Sequence, residues 1–361
     1  MAAPAAHADA LSTPAMTPPL SANADPLSID VAGSKIYFTG QLTGMGFTQN
    51  HSIPGDKKSR VDLTNAQVEI QKTDGVFQFY VQAGAYSLPS LGAPYFKAKD
   101  LPDLTYHYVP NAYVKIVPNA TFNIEAGILP TLIGAEYTFT FQNMNIDRGL
   151  LWNQEPAISR GVQANVTQGP VTASFALTDG YYSSHYSTGS TLIAYTVSKT
   201  DTVAFAGSVQ FNKTTKARFA TPVTLNNGDI FNLMWTHSEG NWMVEPYLQY
   251  GHVPKYTAAG ITDSGSTYGA AVLAKYTFSP MFSLAGRAEY ETSSGGTPLL
   301  YGHKSKAYSL TVTPTIQLKT FFVRGELSYT GVSSIAPGAG FGPAGTSKSQ
   351  TRAKVETGFL F

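Results

Sequence analysis

A single up-and-down antiparallel β-barrel of about sixteen strands is the fold this sequence predicts. Three observations predict it. From Ile36 onward, segments of roughly nine to thirteen residues alternate apolar and polar side chains. The connectors between them are short and long in strict rotation. The chain ends on Phe361, with Phe359, Thr357 and Val355 sharing its face.

The segment from Tyr308 to Leu318 shows the pattern. Tyr308, Leu310, Val312, Pro314, Ile316 and Leu318 fall on one face, and Ser309, Thr311, Thr313, Thr315 and Gln317 on the other. Successive strand side chains point to opposite faces, so the segment has one greasy face and one wet face. Pro314 cannot donate to a ladder, so a local irregularity is expected there. Phe321–Tyr329, Phe282–Tyr290, Phe122–Ile128 and Phe77–Ala85 read the same way.

Sixteen such segments are predicted, at 35–48, 61–72, 76–86, 111–117, 121–129, 159–168, 170–179, 190–199, 202–212, 229–238, 242–253, 265–278, 282–292, 306–318, 320–330 and 347–361. Seven connectors are very short and carry turn residues such as Asp74-Gly75, Pro118-Asn119, Gly169 and Gly240-Asn241. Eight are long, the longest being 130–158. Short turns at one end and long loops at the other, with an even strand number, describe a barrel of the bacterial outer membrane. A soluble sandwich has no reason to sort its connectors this way.

Composition agrees. Charged residues are 13%, against roughly 25% in soluble proteins, yet mean hydropathy is only −0.09. Polarity is carried by uncharged side chains, with Tyr 21 and Phe 20. No apolar run reaches the roughly 18 residues of a membrane-spanning helix. The chain has no cysteine, which excludes a disulfide framework and Cys-ligated zinc. A net charge of +1 argues against nucleic acid as a partner.

Residues 1–33 stand apart from the barrel domain expected at 34–361. Pro4, His7 and Asp9 interrupt a run of alanines that resembles the end of a secretory signal, with cleavage after Ala8 or Ala10. The rest, rich in Pro, Ser and Ala, is expected to be a flexible leader.

The wet faces carry charge. Lys115, Glu125, Glu245, Lys275, Arg287, Glu289, Arg324 and Glu326 point inward, with Glu69, Arg352, Lys354 and Glu356. A dry core could not hold them, whereas a water-filled lumen can. They either brace the wall, as the pairs Arg287/Glu289 and Arg324/Glu326 suggest, or read a solute. Inward Tyr80, Tyr113 and Tyr247 could stack on a sugar, while Phe38, Trp235, Trp242, Tyr276 and Phe282 sit where interfacial girdles belong.

Loop 130–158 holds Glu136, Asp147, Arg148 and Glu155, and keeps Leu132, Ile133, Phe139, Ile146, Leu150 and Trp152. Apolar loop residues need something to pack on. Folding into the lumen supplies it and makes these four charges a pore constriction. Packing on the rim or a neighbouring subunit is the alternative. Glu136, Asp147 and Glu155 outweigh Arg148, so an inward loop would favour cations. Gly338–Gly345 reads as a flexible external loop. Catalytic motifs are absent: the seven histidines are scattered, and neither a nucleophile elbow nor a P-loop occurs.

Residues 127–182 resemble a known family, the OmpL-like β-barrel porins of Gram-negative bacteria. The likeness is carried by Pro130-Thr131, Gly134 and Glu136, then Asn143, Asn145, Arg148 and Glu155-Pro156, then Gly161–Asn165 and Asp179-Gly180. It implies an outer-membrane channel whose solutes are unassigned. The expectation is passive diffusion of small polar solutes and ions, with no cofactor and no metal. A substrate-selective porin and a soluble carbohydrate-binding β protein are the alternatives. Phe359 and Phe361 resemble the assembly signal of such barrels. The expected partners are a lipid bilayer, lipopolysaccharide and, by analogy, two further copies in a homotrimer.

Overall fold

The computed structural model describes residues 20, 21, 23 and 25–361. The expected signal remnant at 2–10 lies outside the described residues.

All sixteen expected strands are present, with ends within three residues of expectation. The first half holds β2 (Ser34–Gln49), β3 (Ser59–Lys72), β4 (Phe77–Tyr86), β5 (Asn111–Asn119), β6 (Phe122–Pro130), β7 (Ile158–Gln168), β8 (Val171–Thr178) and β9 (Thr188–Thr196). The second half holds β10 (Asp201–Gln210), β11 (Asp229–Glu239), β12 (Trp242–Val253), β13 (Gly265–Ser279), β14 (Phe282–Gly295), β15 (Lys306–Leu318), β16 (Phe321–Ser333) and β17 (Ser349–Leu360). Each pairs antiparallel with its neighbour, and β17 returns to pair with β2 from Arg352↔Gln49 to Leu360↔Gln41. The sheet is therefore closed.

One strand was not expected. β1 (Leu27–Val31) lies inside the stretch read as a flexible leader and pairs with β2 from Leu27↔Phe38 to Val31↔Ser34. Ala32 and Gly33, at φ 50° and 80°, make the two-residue turn between them. Below the chain end, where Phe361 exchanges two backbone hydrogen bonds with Gly40, the edge of β2 would be bare. β1 covers it.

The barrel is inside out. Along β15, Tyr308, Leu310, Val312 and Ile316 are exposed, while Ser309, Thr311 and Thr313 are buried. Withdrawing one such aliphatic or aromatic side chain from water is worth about 1.5–3 kcal/mol, so a surface of this kind belongs in lipid. Aromatics mark both rims. At the short-turn end Trp242, Tyr276, Phe278 and Phe282 meet in sequence at 4.6, 4.6 and 5.2 Å. At the loop end Phe231, Tyr250 and Tyr268 follow one another at 6.5 and 5.3 Å, and Tyr308 meets Tyr329 at 5.9 Å.

Pro314 keeps its register with Leu284, but pairing of β15 with β16 lapses between Val312 and Thr315. Pro246 does the same to β11 and β12 between Met234 and His237. The Gly338–Gly345 loop is not free: Phe341 is buried, and the Gly342 N–H donates to the His51 carbonyl.

Val312 lies mid-strand on the outward face. Val312→Arg should destabilise the barrel in bilayers by about 2–4 kcal/mol. Denaturant titration in lipid vesicles, and again in detergent, is the measurement. A cost no larger than a surface substitution would show that this face does not meet lipid.

Candidate functional site: the loop inside the barrel

The connector between β6 and β7, residues 131–157, folds into the lumen. Its ends are tied by Thr131 N–H to the Ala157 carbonyl at 3.2 Å. Two short 3-10 turns, Thr140–Gln142 and Leu151–Gln154, shape it. Asn143 holds the first turn by donating from Nδ2 to the carbonyls of Tyr137 and Phe139.

A loop without a sheet partner must still satisfy its backbone, and the wall does this. Glu326 on β16 accepts the N–H groups of Ile146 and Asp147 at 2.5 and 3.0 Å. Glu289 on β14 accepts those of Leu150 and Leu151 at 3.1 and 3.3 Å. Arg324 donates to the carbonyls of Thr140 and Asn143 at 2.7 and 2.8 Å, and twice to Glu356 on β17 at 2.8 and 2.6 Å. The expected Arg324/Glu326 pair does not form. Glu326 is occupied with the loop, and Arg324 reaches across the ladder instead. Arg287 and Glu289 do pair, at 3.1 Å.

The four loop charges meet different partners. Glu136 pairs with Arg287 at 2.5 Å and also accepts the Gly149 N–H at 2.7 Å. Asp147 pairs with Lys354 and, at 3.7 Å, with Arg352. Burial pushes the Asp147 carboxyl up, but Lys354 and Arg352 outweigh it and hold the group below the usual carboxylate range. Glu155 accepts from Tyr247 and, at 2.8 Å, from Gln249, both on β12. With no cation beside it, burial raises its carboxyl well above that range. Arg148 is fully buried, its guanidinium 5.2 Å from the Trp152 ring, and all three of its nitrogens lack a hydrogen-bond partner. Burial lowers it to about 10.

Two glycines make room. A Cβ at Gly149 would sit 2.0 Å from Glu289 Oε1. Gly134 has φ +88°, and a Cβ there would sit 1.8 Å from Glu155 Oε2.

A second loop joins from 87–110. Ser90 bridges to Arg148, the Asn153 side chain donates to the Leu91 carbonyl, and Arg352 donates to the carbonyls of Ser90 and Ala93. Of the other wall charges, Lys115 and Glu125 pair with each other at 3.1 Å. Glu245 is buried on the inward face of β12, and Lys275 lines a cleft with Asn143 and Met144 at the loop tip. Tyr80 and Tyr113 stack at 5.5 Å. Sequence reasoning did not single out Gln249 or Glu291, and placed Ser309 and Thr313 on a wet face without assigning them to the site. All four are polar residues at inward positions beside charges already singled out, and that was the available signal.

The chain carries the pattern of the family "Putative beta-barrel porin-2, OmpL-like" over residues 35–361. It belongs to that family. It is an outer-membrane porin channel, and it resides in the bacterial outer membrane. The short turns are periplasmic and the long loops external.

Solved structures share the fold at low identity. An anion-selective porin from Comamonas acidovorans has a TM-score of 0.62 at 14% identity, covering 91% of this chain and 100% of that one. The outer membrane channel DcaP of Acinetobacter baumannii has 0.62 at 9%, covering 92% and 99%. OmpT of Vibrio cholerae, in trimer form, has 0.60 at 10%, covering 90% and 99%. No curated protein is detectably similar in sequence.

Arg324→Ala would strand Glu356 and release two carbonyls of the porin's inner loop. Breaking a buried pair from one side costs about 3 kcal/mol. The expected outcome is new protease cleavage between residues 138 and 145 in a barrel that still shows heat-modifiable migration. A cleavage pattern unchanged from the native channel would show that Arg324 does not hold the loop.

Proposed function

We propose that this porin passes small polar solutes and ions by passive diffusion, and that loop 131–157 is its constriction. Glu136, Asp147, Arg148 and Glu155 would set its field. The observation that carries this reading is the attachment of the loop to Glu289, Arg324 and Glu326 on the inner wall, with all four loop charges buried among wall residues. Lys115, Glu125, Glu245 and Lys275 would line the wider part of the lumen. The reading needs no catalytic group, and a channel rather than a catalyst is what we infer.

Selectivity follows from charge around the loop. Glu136, Asp147, Glu155, Glu289, Glu326 and Glu356 face Arg148, Arg287, Arg324, Arg352 and Lys354. Without Glu155 the five other acids balance the five bases, and Glu155, whose carboxyl burial holds protonated to higher pH, tips the balance toward acid as it ionises. Low-dielectric walls focus such a field, so cations should pass somewhat more easily than anions, and the preference should grow as pH rises. The preference should fade with salt, because screening shortens to about 8 Å at physiological ionic strength.

One observation favours a substrate-selective channel: the inward, half-buried rings of Tyr80 and Tyr113, stacked at 5.5 Å, suit a sugar-like solute. Saturable block of conductance by one solute class would support that alternative.

Lipid and lipopolysaccharide are the proposed surroundings, and two further copies the proposed partners. The loop-end girdle is thin over β2–β6, where Tyr108 is the exposed aromatic and Gly44, Gly46, Ala83, Ala85, Ala112 and Ala126 lie along the outward side. Small side chains permit close approach of a second barrel.

The reversal potential across a salt gradient tests the constriction. The native channel should favour cations. Asp147→Asn with Glu155→Gln should turn it toward anions, because Lys354 and Arg352 then lose their counter-charge. A native preference for anions, or no shift in the double variant, would show that the loop does not set selectivity.

A further inference from the structure

The described part of the N-terminal segment touches the lumen at its periplasmic end. The Ser21 N–H donates to Gln317 Oε1 at 2.9 Å, and Gln317 Nε2 donates back to the Ser21 carbonyl at 2.7 Å. Gln317 lies on the inward face of β15, one residue from the turn that follows. Its amide is also anchored to the Lys319 carbonyl at 2.8 Å. Leu20, half-buried, lines one cleft with Asn143, Met144, Lys275, Thr315 and Arg324. Asn143 and Met144 belong to the tip of the inner loop. Leu20 therefore sits against the periplasmic side of the constriction.

The rest of the fold makes this placement consistent. β1 is fixed to the wall beneath Phe361, with Leu27 opposite Phe38. From Leu27 back to Ser21 is six residues, enough for about 20 Å of extended chain. β17 and β15 are two strands apart, about 10 Å. The segment is thus held at both ends, by the β1 ladder and by Gln317.

We infer that Leu20 and Ser21 form a second constriction at the periplasmic mouth, held by Gln317 and lying beneath the inner loop. This goes beyond the constriction proposed for residues 131–157 and does not depend on that loop's charges. An ion crossing the channel passes both narrowings in series, and Leu20 presents it with an apolar wall without hydrogen-bonding groups.

Single-channel conductance in planar bilayers tests this with the full chain, a chain lacking residues 11–24, and Gln317→Ala. Since conduction follows pore diameter, the truncated channel should conduct roughly 1.5-fold more than the native one or better, and Gln317→Ala should move the same way by a smaller step. A rise in the truncated channel alone supports the constriction and removes Gln317 as its anchor. Equal conductance in the truncated and native channels overturns the proposal. If the truncated chain does not reach the heat-modifiable folded form, Gln317→Ala decides, and an unchanged conductance there overturns it. A native chain that folds but does not conduct would count against the channel reading itself, and is distinguishable from each of these.

Discussion

The structure depends on one constraint: in hydrocarbon, every backbone N–H and C=O must find a partner within the protein. An open sheet fails this at its two edges. Closing β17 onto β2 removes both, and the seam shows how little slack there is. Phe361 bonds to Gly40 through its own backbone, and the Phe361 ring lies where a Cβ on residue 40 would be, 2.5 Å away. Glycine at 40 lets the last aromatic of the outward face lie flat on the seam. Where the last strand stops, β1 continues in its lane. A five-residue hairpin arm would be marginal alone. Here it completes an edge that the rest of the barrel has already ordered.

Closure fixes what the interior can be. With period two, an outward face made for lipid leaves an inward face of polar residues, so the lumen is polar before any function is considered. The loop that enters it meets a matched surface. Glu289 and Glu326 each accept two successive backbone amides, so the loop's unpaired N–H groups are satisfied by wall carboxylates in place of a sheet partner. Arg324 does the reciprocal task for two carbonyls. These are charge-assisted hydrogen bonds, stronger than neutral ones. The same side chains that line the lumen are therefore the ones that hold the loop inside it.

The strands were legible because their signal is local. Alternation over ten residues needs no knowledge of partners, and turns such as Asp74-Gly75 punctuate it. The loop's inward fold was legible from apolar residues such as Phe139, Ile146 and Leu150, all fully buried in the structure. Partner choice was not. Arg324 and Glu326 sit two apart on one strand and look like a pair, but Glu356 stands directly across the ladder from Arg324, and the loop claims Glu326. Deciding between them requires strand register and loop height together. β1 was missed for a different reason. Leu27-Ser28-Ile29-Asp30-Val31 does alternate, and Ala32-Gly33 is a hairpin turn, but five residues inside a Pro- and Ser-rich stretch are a weak signal beside the composition around them.

The division of labour among the lumen charges bears on how the channel can discriminate. A carboxylate that accepts two backbone amides has part of its field cancelled by those dipoles, and one paired with a guanidinium has more of it cancelled. Glu289, Glu326 and Glu356 are of this kind. What a passing ion feels is what remains. Glu155 is held only by a tyrosine hydroxyl and an amide, and Arg148 faces no hydrogen-bond acceptor at all. Of these two loop groups, Arg148 carries the charge least spent on structure, while burial raises the Glu155 carboxyl and holds it protonated to higher pH. A lumen whose bracing charges are satisfied in pairs can keep its inner loop in place while one or two residues change, because altering Glu155 or Arg148 leaves the clamps on Glu289, Glu326 and Arg324 intact.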